Sequence, residues 1–243
     1  MHVALAAPSD DPAFAPEIAT DDTVTHWAGM VRARIEEALD ILATHKANAS
    51  QEDQALAEAL LLRHDELLAS AEGFASRIAG SLCTRIHGDL HLGQVLVSHD
   101  DAYLIDFEGE PARPLAERRA KHSPLKDVAG LVRSFDYAAA MALDNAKNAD
   151  VTEDADRISH QIVDEYRANV TNIFLDAYRS ATADLAHRWQ HDDGDLAALD
   201  LFTLEKAAYE VAYEAANRPN WLGVPLRGLA TITDKLTAGG EHD

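Results

Sequence analysis

One run of the chain, residues 85–111, RIHGDLHLGQVLVSHDDAYLIDFEGEP, limits what the rest can fold into. Within it Asp89 is followed five positions later by Gln94. Val95-Leu96-Val97, a His-Asp-Asp turn and Tyr103-Leu104-Ile105 then lead directly into Asp106. Two short apolar runs separated by turn residues predict a β-hairpin, with Gln94 and Asp106 side by side at its open end. Such a cluster of carboxylates, an amide and imidazoles needs a chemical reason. The placement predicts a metal and phosphate site.

The spacing Asp-x-x-x-x-Asn/Gln followed by a strand-borne Asp suits phosphoryl transfer. Asp89 on a loop can accept the proton of an attacking hydroxyl, while Gln94 and Asp106 offer oxygens to magnesium, which keeps waters and phosphate oxygens in its shell and so needs few protein ligands. His87, two residues before Asp89, is expected to orient that loop. His87, Asp89 and His91 alternate and would form a transition-metal site if they lay on one strand face, but Gly88 and Gly93 argue against a regular strand. Glu108 is a candidate for the metal shell or a substrate hydroxyl, and Glu110 reads equally well as part of a solvated acidic loop.

Composition narrows the partners. The 243 residues include 42 acids against 21 Lys and Arg, a net charge of −21. Such a surface repels nucleic acid and anionic membranes, so small molecules are expected, and an anionic nucleotide would need a metal ion to bring it in. A lone cysteine, Cys83, excludes an internal disulfide and fits a cytoplasmic protein with a buried thiol. No basic, apolar leader or membrane-length apolar run is evident.

The remaining chain is mostly helical in pattern. Residues 1–20, with Pro8, Pro12 and Pro16, read as an extended linker from a preceding lobe supplied elsewhere. Val31, Ile35, Ala38, Leu39 and Leu42 give residues 22–44 an apolar face. A second helix starts at a capping box, Ser50 to Asp53, and carries Leu56, Leu60, Leu67, Ala71 and Phe74. His45 and His64 in this pair have no partner at ligand spacing. The basic run Arg118-Arg119-Ala120-Lys121 reads as a solvated loop, with help to a nucleotide as the lesser alternative. Ser123-Pro124 opens a helix through Leu125, Val128, Leu131, Val132 and Phe135. After a polar segment, 145–150, a long helix is expected to pack through Ile158, Ile162, Tyr166, Val170, Ile173 and Ala177, ending at 191–194; a short helix closes the chain after Pro225.

Between these last two lies a helix at about 195–217. Lys206, Glu210, Tyr213 and Asn217 fall on one of its faces, with Tyr209 and Glu214 beside them. A cation, a carboxylate, a phenol and an amide suit the hydroxyls of a carbohydrate, and Trp221 would stack on a sugar face. Glu214 reads better as an ordinary surface member of an ion pair.

Taken together, HGDLHLGQVL, LIDFEGEP, SPLKDVAGLVRSFDYAA and KAAYEVAYEAANRPNWLGVPL resemble the maltokinase family of bacterial aminoglycoside-phosphotransferase-like kinases, from about Pro8 nearly to the C-terminus. The resemblance implies an α+β, predominantly α-helical C-lobe (residues 21–243) with a small hairpin carrying the metal ligands (catalytic loop and hairpin 84–111) and an acceptor-sugar helix (195–221). It implies transfer of the γ-phosphate of ATP, with Mg, to the anomeric hydroxyl of maltose, giving maltose 1-phosphate for α-glucan (glycogen) synthesis, and a functional link to trehalose synthase. On that basis Asp89 is the base, Gln94 and Asp106 hold magnesium and bound ATP, the helix from Lys206 to Asn217 lines the sugar pocket, and Asp127 braces the catalytic loop. The family's N-lobe, with its phosphate-gripping lysine, has no counterpart here; Gly239-Gly240 lies at the wrong end for a phosphate loop. The chain alone is therefore expected to be inactive or weakly active until an N-lobe is provided upstream or by a partner chain. Two alternatives stand beside this reading: a glucosamine or other sugar kinase of the same superfamily, and a truncated, non-catalytic sugar-binding or interaction module.

Overall fold

The computed structural model describes residues 1–44, 50–111, 113–147, 153–188 and 194–239. Its layout is helical, with two small antiparallel strand pairs. The elements in order are α1 (His2–Leu5), β1 (Glu17–Ile18), α2 (Asp21–Thr44), α3 (Gln51–Leu62), α4 (His64–Ala75) and β2 (Leu82–Cys83). There follow a 3-10 turn (Leu92–Gln94), β3 (Val95–Ser98), β4 (Asp101–Leu104), α5 (Leu115–Arg118), α6 (Leu125–Lys147), α7 (Glu153–Ala181), α8 (Gly194–Asn217), a second 3-10 turn (Pro219–Trp221) and α9 (Gly223–Gly239).

Helix α8 is the axle, packed against α2, α4, α6 and α9. Leu201, Phe202, Leu204, Ala207, Ala208 and Val211 are all buried in its middle. α2 brings Val24, Trp27, Val31, Ile35, Ala38 and Leu42 to the same core at helical spacing. Its start is fixed by the Thr20 hydroxyl, which accepts from the Thr23 amide at 3.2 Å, and by Asp21 and Asp22 in the first turn, where carboxylates suit the helix dipole.

The second helix expected from sequence is divided. Ser50 does cap it, accepting from the Asp53 amide at 3.1 Å, but the helix breaks at Arg63, whose backbone leaves helical values (φ −102, ψ 22). The guanidinium of Arg63 is gripped by both oxygens of Glu66 at 2.8 Å and by Asp234 of α9 at 3.0 Å. The bend lets α3 lie on α9 while α4 stays on α2 and α8. His64 follows the break, half exposed beside Asp65; His45 lies outside the described residues, as do positions 148–150 and 191–193.

Residues 1–20 are more than an extended linker. His2 is 5% exposed on α1, and β1 pairs with β2 in the register Glu17↔Cys83 and Ile18↔Leu82. Most of the apolar positions read along α7 also turn out differently. Ile158, Ile162, Tyr166 and Ile173 face solvent, and α7 meets α6 through Val170, Phe174 and Tyr178. Their spacing was helical, but the helix rests on its neighbour along an adjacent stripe. Cys83 is buried beside the core, and burial pushes its thiol up to about 12, which suits a packing role. Among the described residues no helix is long and apolar enough to cross a membrane.

Candidate active site

The hairpin has the expected form. β3 and β4 pair as Val95↔Leu104, Leu96↔Tyr103, Val97↔Ala102 and Ser98↔Asp101. His99 and Asp100 both have positive φ (53 and 62), the conformation of the two-residue turns that match strand twist. At the open end the Gln94 amide nitrogen donates to Asp106 Oδ2 at 3.1 Å, and the Ile105 amide donates to the Gln94 carbonyl at 3.1 Å. Asp106 is itself in the left-handed region (φ 65), which turns the chain out of the strand.

The Asp89 loop is tied to this hairpin. His87, 1% exposed, donates from Nε2 to the Ile105 carbonyl at 2.7 Å and packs on Phe107 with ring centroids 4.9 Å apart. With Nε2 carrying the proton, its Nδ1 is left to accept from the Asp89 amide at 3.4 Å. Gly88 has φ 84, and a Cβ there would stand 3.2 Å from the Gly109 Cα, so the two loops touch backbone to backbone. Asp127, 2% exposed in the first turn of α6, accepts from the His87 amide at 2.7 Å and from the Gly88 amide at 2.8 Å. His91 turns into its own loop, where Nδ1 accepts from the Gly93 amide at 3.0 Å. His87 and His91 thus do not converge on one metal. Among the described residues no group of three or more His, Cys, Asp or Glu side chains is placed to hold an ion.

Facing the loop is α8. Lys206 Nζ lies 3.5 Å from Asp89 Oδ1 and 5.2 Å from the centre of the Tyr209 ring. Tyr209 and Tyr213 are stacked at 6.3 Å along the helix. A cleft opens between the elements, lined among others by Asp89, Glu110, Lys126, Glu205, Lys206 and Tyr209.

Not every residue expected on the acceptor face reaches it. Glu210 turns inward, and its Oε2 takes Arg133 Nε at 3.0 Å and Nη2 at 2.6 Å. Burial raises its carboxyl and Arg133 opposes the rise. Glu214 does join an i, i+4 ion pair, with Arg218, but it is 1% exposed rather than at the surface. It accepts the Tyr137 hydroxyl at 3.0 Å and is clasped by Arg218 at 2.5 and 3.0 Å. Asn217 is exposed and folds back onto the Tyr213 carbonyl at 2.8 Å. Trp221 lies parallel to Tyr137 (6.3 Å, 5°), with Arg218 5.5 Å from its ring centre. Lys206, Tyr209 and Tyr213 therefore remain as the open part of the predicted surface.

The acidic pair after the hairpin is split. Glu108 is mostly exposed, 3.7 Å from Arg118. Glu110 points into the cleft and accepts from Arg113 Nε at 3.0 Å. Burial works to raise the Glu110 carboxyl, but Tyr209, Arg113 and Lys206 outweigh it and hold it below the usual carboxylate range. The basic run is largely committed elsewhere: Arg118 also donates to the Glu108 carbonyl at 3.2 Å, Lys121 pairs with Glu17, and the Arg119 carbonyl takes Arg85.

A buried ion network lies under the cleft. Glu205, 4% exposed, takes Arg113 Nη2 at 3.0 Å on one oxygen and Lys126 on the other. Desolvation alone would raise its carboxyl, yet Lys126 and Arg113, with a smaller effect of His122, hold it at about 2. This network joins the loop after the hairpin to α6 and α8. Its signal in the sequence is a carboxylate within an apolar stripe, since Ala198, Leu201, Phe202, Glu205 and Ala208 share one helix face.

This mostly helical lobe, with its carboxylate loop and hairpin set against a polar helix, superposes on about half of several solved structures. The superposable structures include a glucosamine kinase in complex with glucosamine, ADP and inorganic phosphate (TM-score 0.76, 24% identity, 98% of this chain and 53% of that one). A glucosamine kinase in a second crystal form gives a TM-score of 0.74 at 25% identity, over 96% of this chain and 50% of that one. In sequence the chain is homologous to the glucosamine kinase of Mycolicibacterium smegmatis (strain ATCC 700084 / mc(2)155), 32% identical over 181 residues, 74% of this chain and 42% of that protein. It is 28% identical over 235 residues to that of Streptacidiphilus jiangxiensis, 96% of this chain and 46% of that protein. The chain spans about half the length of these relatives. No family model matches it. These likenesses favour the glucosamine kinase alternative over the maltokinase reading.

Proposed function

We propose that this chain is the catalytic and acceptor lobe of an ATP-dependent sugar kinase, and that glucosamine is its acceptor. The observation that carries the reading is the meeting of Asp89 and Lys206 at 3.5 Å beside a hairpin whose end joins Gln94 to Asp106. The acceptor assignment draws support from the glucosamine kinases to which the chain is homologous.

In this mechanism the sugar lies in the cleft against Lys206, Tyr209 and Glu110. Asp89 accepts the proton of the attacking hydroxyl, and Lys206 holds the carboxylate in place by charge. Asp127 and His87 keep the loop at the depth of the hairpin. The pair Gln94 and Asp106 fits magnesium by donor chemistry: turning the Gln94 amide would bring its oxygen beside the Asp106 carboxylate, giving two hard oxygens. A Mg²⁺ ion held there would neutralise phosphate charge. Burial raises the Tyr209 phenol, and Glu110 raises it further, so that it stays a hydroxyl for hydrogen bonding to the sugar.

The test is phosphate transfer from ATP by this lobe, joined to or mixed with the half that its relatives possess in addition, to a panel of glucosamine, glucose and maltose. The expected result is turnover greatest with glucosamine and little or none by the lobe alone. Maltose turnover above glucosamine would restore the maltokinase reading. Sugar binding by the full assembly without any phosphate transfer would favour a non-catalytic binding module.

A further inference from the structure

His2 lies 125 positions from Asp127 in sequence, yet its Nε2 is 3.0 Å from Asp127 Oδ2, and its Nδ1 is 3.0 Å from the Tyr178 hydroxyl. His2 and Asp127 are withdrawn from water, at 5% and 2% exposed, and Tyr178 is partly buried; burial followed by the charge of Asp127 pushes its phenol up. A carboxylate only accepts, so Nε2 carries the proton it donates; in the singly protonated ring Nδ1 then takes the proton of the Tyr178 hydroxyl. The oxygen that His2 approaches is the one that accepts from the His87 amide at 2.7 Å. Its companion oxygen accepts from Gly88 at 2.8 Å. The ring of His2 also meets Tyr178 edge to face, with centroids 5.7 Å apart.

The same short helix reaches the hairpin. Met1 packs on the cluster of Leu90, Leu131 and Phe135, and Val95 and Leu104 pack on that cluster too. Leu90 follows Asp89 directly, while Val95 and Leu104 form the first hairpin pair inside Gln94 and Asp106.

We propose that His2 is a positioning residue for the Asp89 loop: through Asp127 it fixes the orientation of the carboxylate that holds the His87 and Gly88 amides, so that α1 and the base-bearing loop move as one piece. Calling that loop catalytic rests on the proposed function, whereas the mechanical link does not. The test therefore reads the loop directly, without turnover.

Amide hydrogen exchange by NMR on the full chain compares His2→Leu, which keeps bulk and loses the donor, with His2→Gln, whose amide nitrogen stands near the place of Nε2. Tyr178→Phe, which frees the ring without touching Asp127, is the third variant. The expected result is exchange at His87 and Gly88 faster by about tenfold in His2→Leu, the order of one lost hydrogen bond to a charged group, with Leu204 and Ala208 in α8 unchanged. His2→Gln should return the loop amides to within about threefold of the parent. Tyr178→Phe should accelerate the same two amides and leave α8 alone, and it carries the test should His2→Leu not fold. Loop protection unchanged in both His2→Leu and Tyr178→Phe would overturn the proposal. So would acceleration spread evenly over the loop and α8, which marks general loss of stability, or failure of His2→Gln to restore what His2→Leu lost.

Discussion

Asp89 and Lys206, 117 residues apart in sequence, face each other at 3.5 Å across the cleft, and both are about three-quarters buried. The loop supplies the carboxylate and α8 the cation, so neither element makes the site alone. Removal of the proposed base should therefore be severe. Asp89→Ala in the two-lobed protein should lower the rate of phosphate transfer by at least about a hundredfold, as expected for a lost general base. Steady-state kinetics with glucosamine checks this, and a loss under tenfold would end the assignment.

Acid should loosen the lobe through Glu205. Its carboxyl sits at about 2 in the fold against 4.5 ordinarily. A carboxyl with a depressed pKa contributes stability above its unfolded value, and that contribution drains away as pH falls from about 4.5 toward 2. Glu205→Gln should lack this part of the acid dependence. At neutral pH it should also cost about 3–5 kcal/mol, because Lys126 would be left as a buried charge without its partner, while Arg113 would keep Glu110. Urea unfolding across pH 2–7 measures both effects.

Helix α6 and the Asp89 loop approach so closely that a Cβ on Gly130 would stand 2.6 Å from the Leu90 carbonyl oxygen. Backbone cannot yield there as a flexible side chain would. Gly130→Ala should lower stability by about 1–3 kcal/mol, the scale of overpacking, and should weaken sugar binding because the displaced residue adjoins Asp89. Thermal melts and calorimetric titration with glucosamine would show the two losses together.

The hairpin turn offers a change in the opposite direction. Asp100 has φ 62, a conformation that glycine adopts without steric cost. Asp100→Gly, giving the His-Gly pair across β3 and β4, should raise or preserve stability within about 1 kcal/mol. A melting temperature lowered by more than a few degrees would show that Asp100 does something other than turn the chain.

The parts of the site that are local in sequence were legible in it. The hairpin follows from alternating apolar runs around a turn, and the pairing of Gln94 with Asp106 follows from its register. Of the Lys206, Glu210, Tyr213 and Asn217 row read from helical period, Lys206 and Tyr213 stay open, with Tyr209 beside them. What failed depended on which stripe of a helix meets a neighbour. Ile158, Ile162 and Ile173 have the spacing of a packing face and point outward, while Glu210, read onto the acceptor face, and Glu214, read as a surface acid, are both buried. Period fixes which residues share a face but not where that face points, since the direction is set by α6 and by Arg133, Tyr137 and Arg218. His2 had no local signal at all, because its partners are brought to it by the packing of α6 and α7.

The inward turn of Glu210 onto Arg133 separates two duties along α8. One set of side chains rivets the helix to α6, and a different set stays open: Lys206 and Tyr209 line the cleft, and Tyr213 is exposed beside Tyr209. Substitutions in the second set need not disturb the first. With a sugar as the proposed occupant, a lobe built this way could exchange one acceptor for another while its framework stays intact, so related chains of this shape would be expected to diverge in acceptor sooner than in architecture.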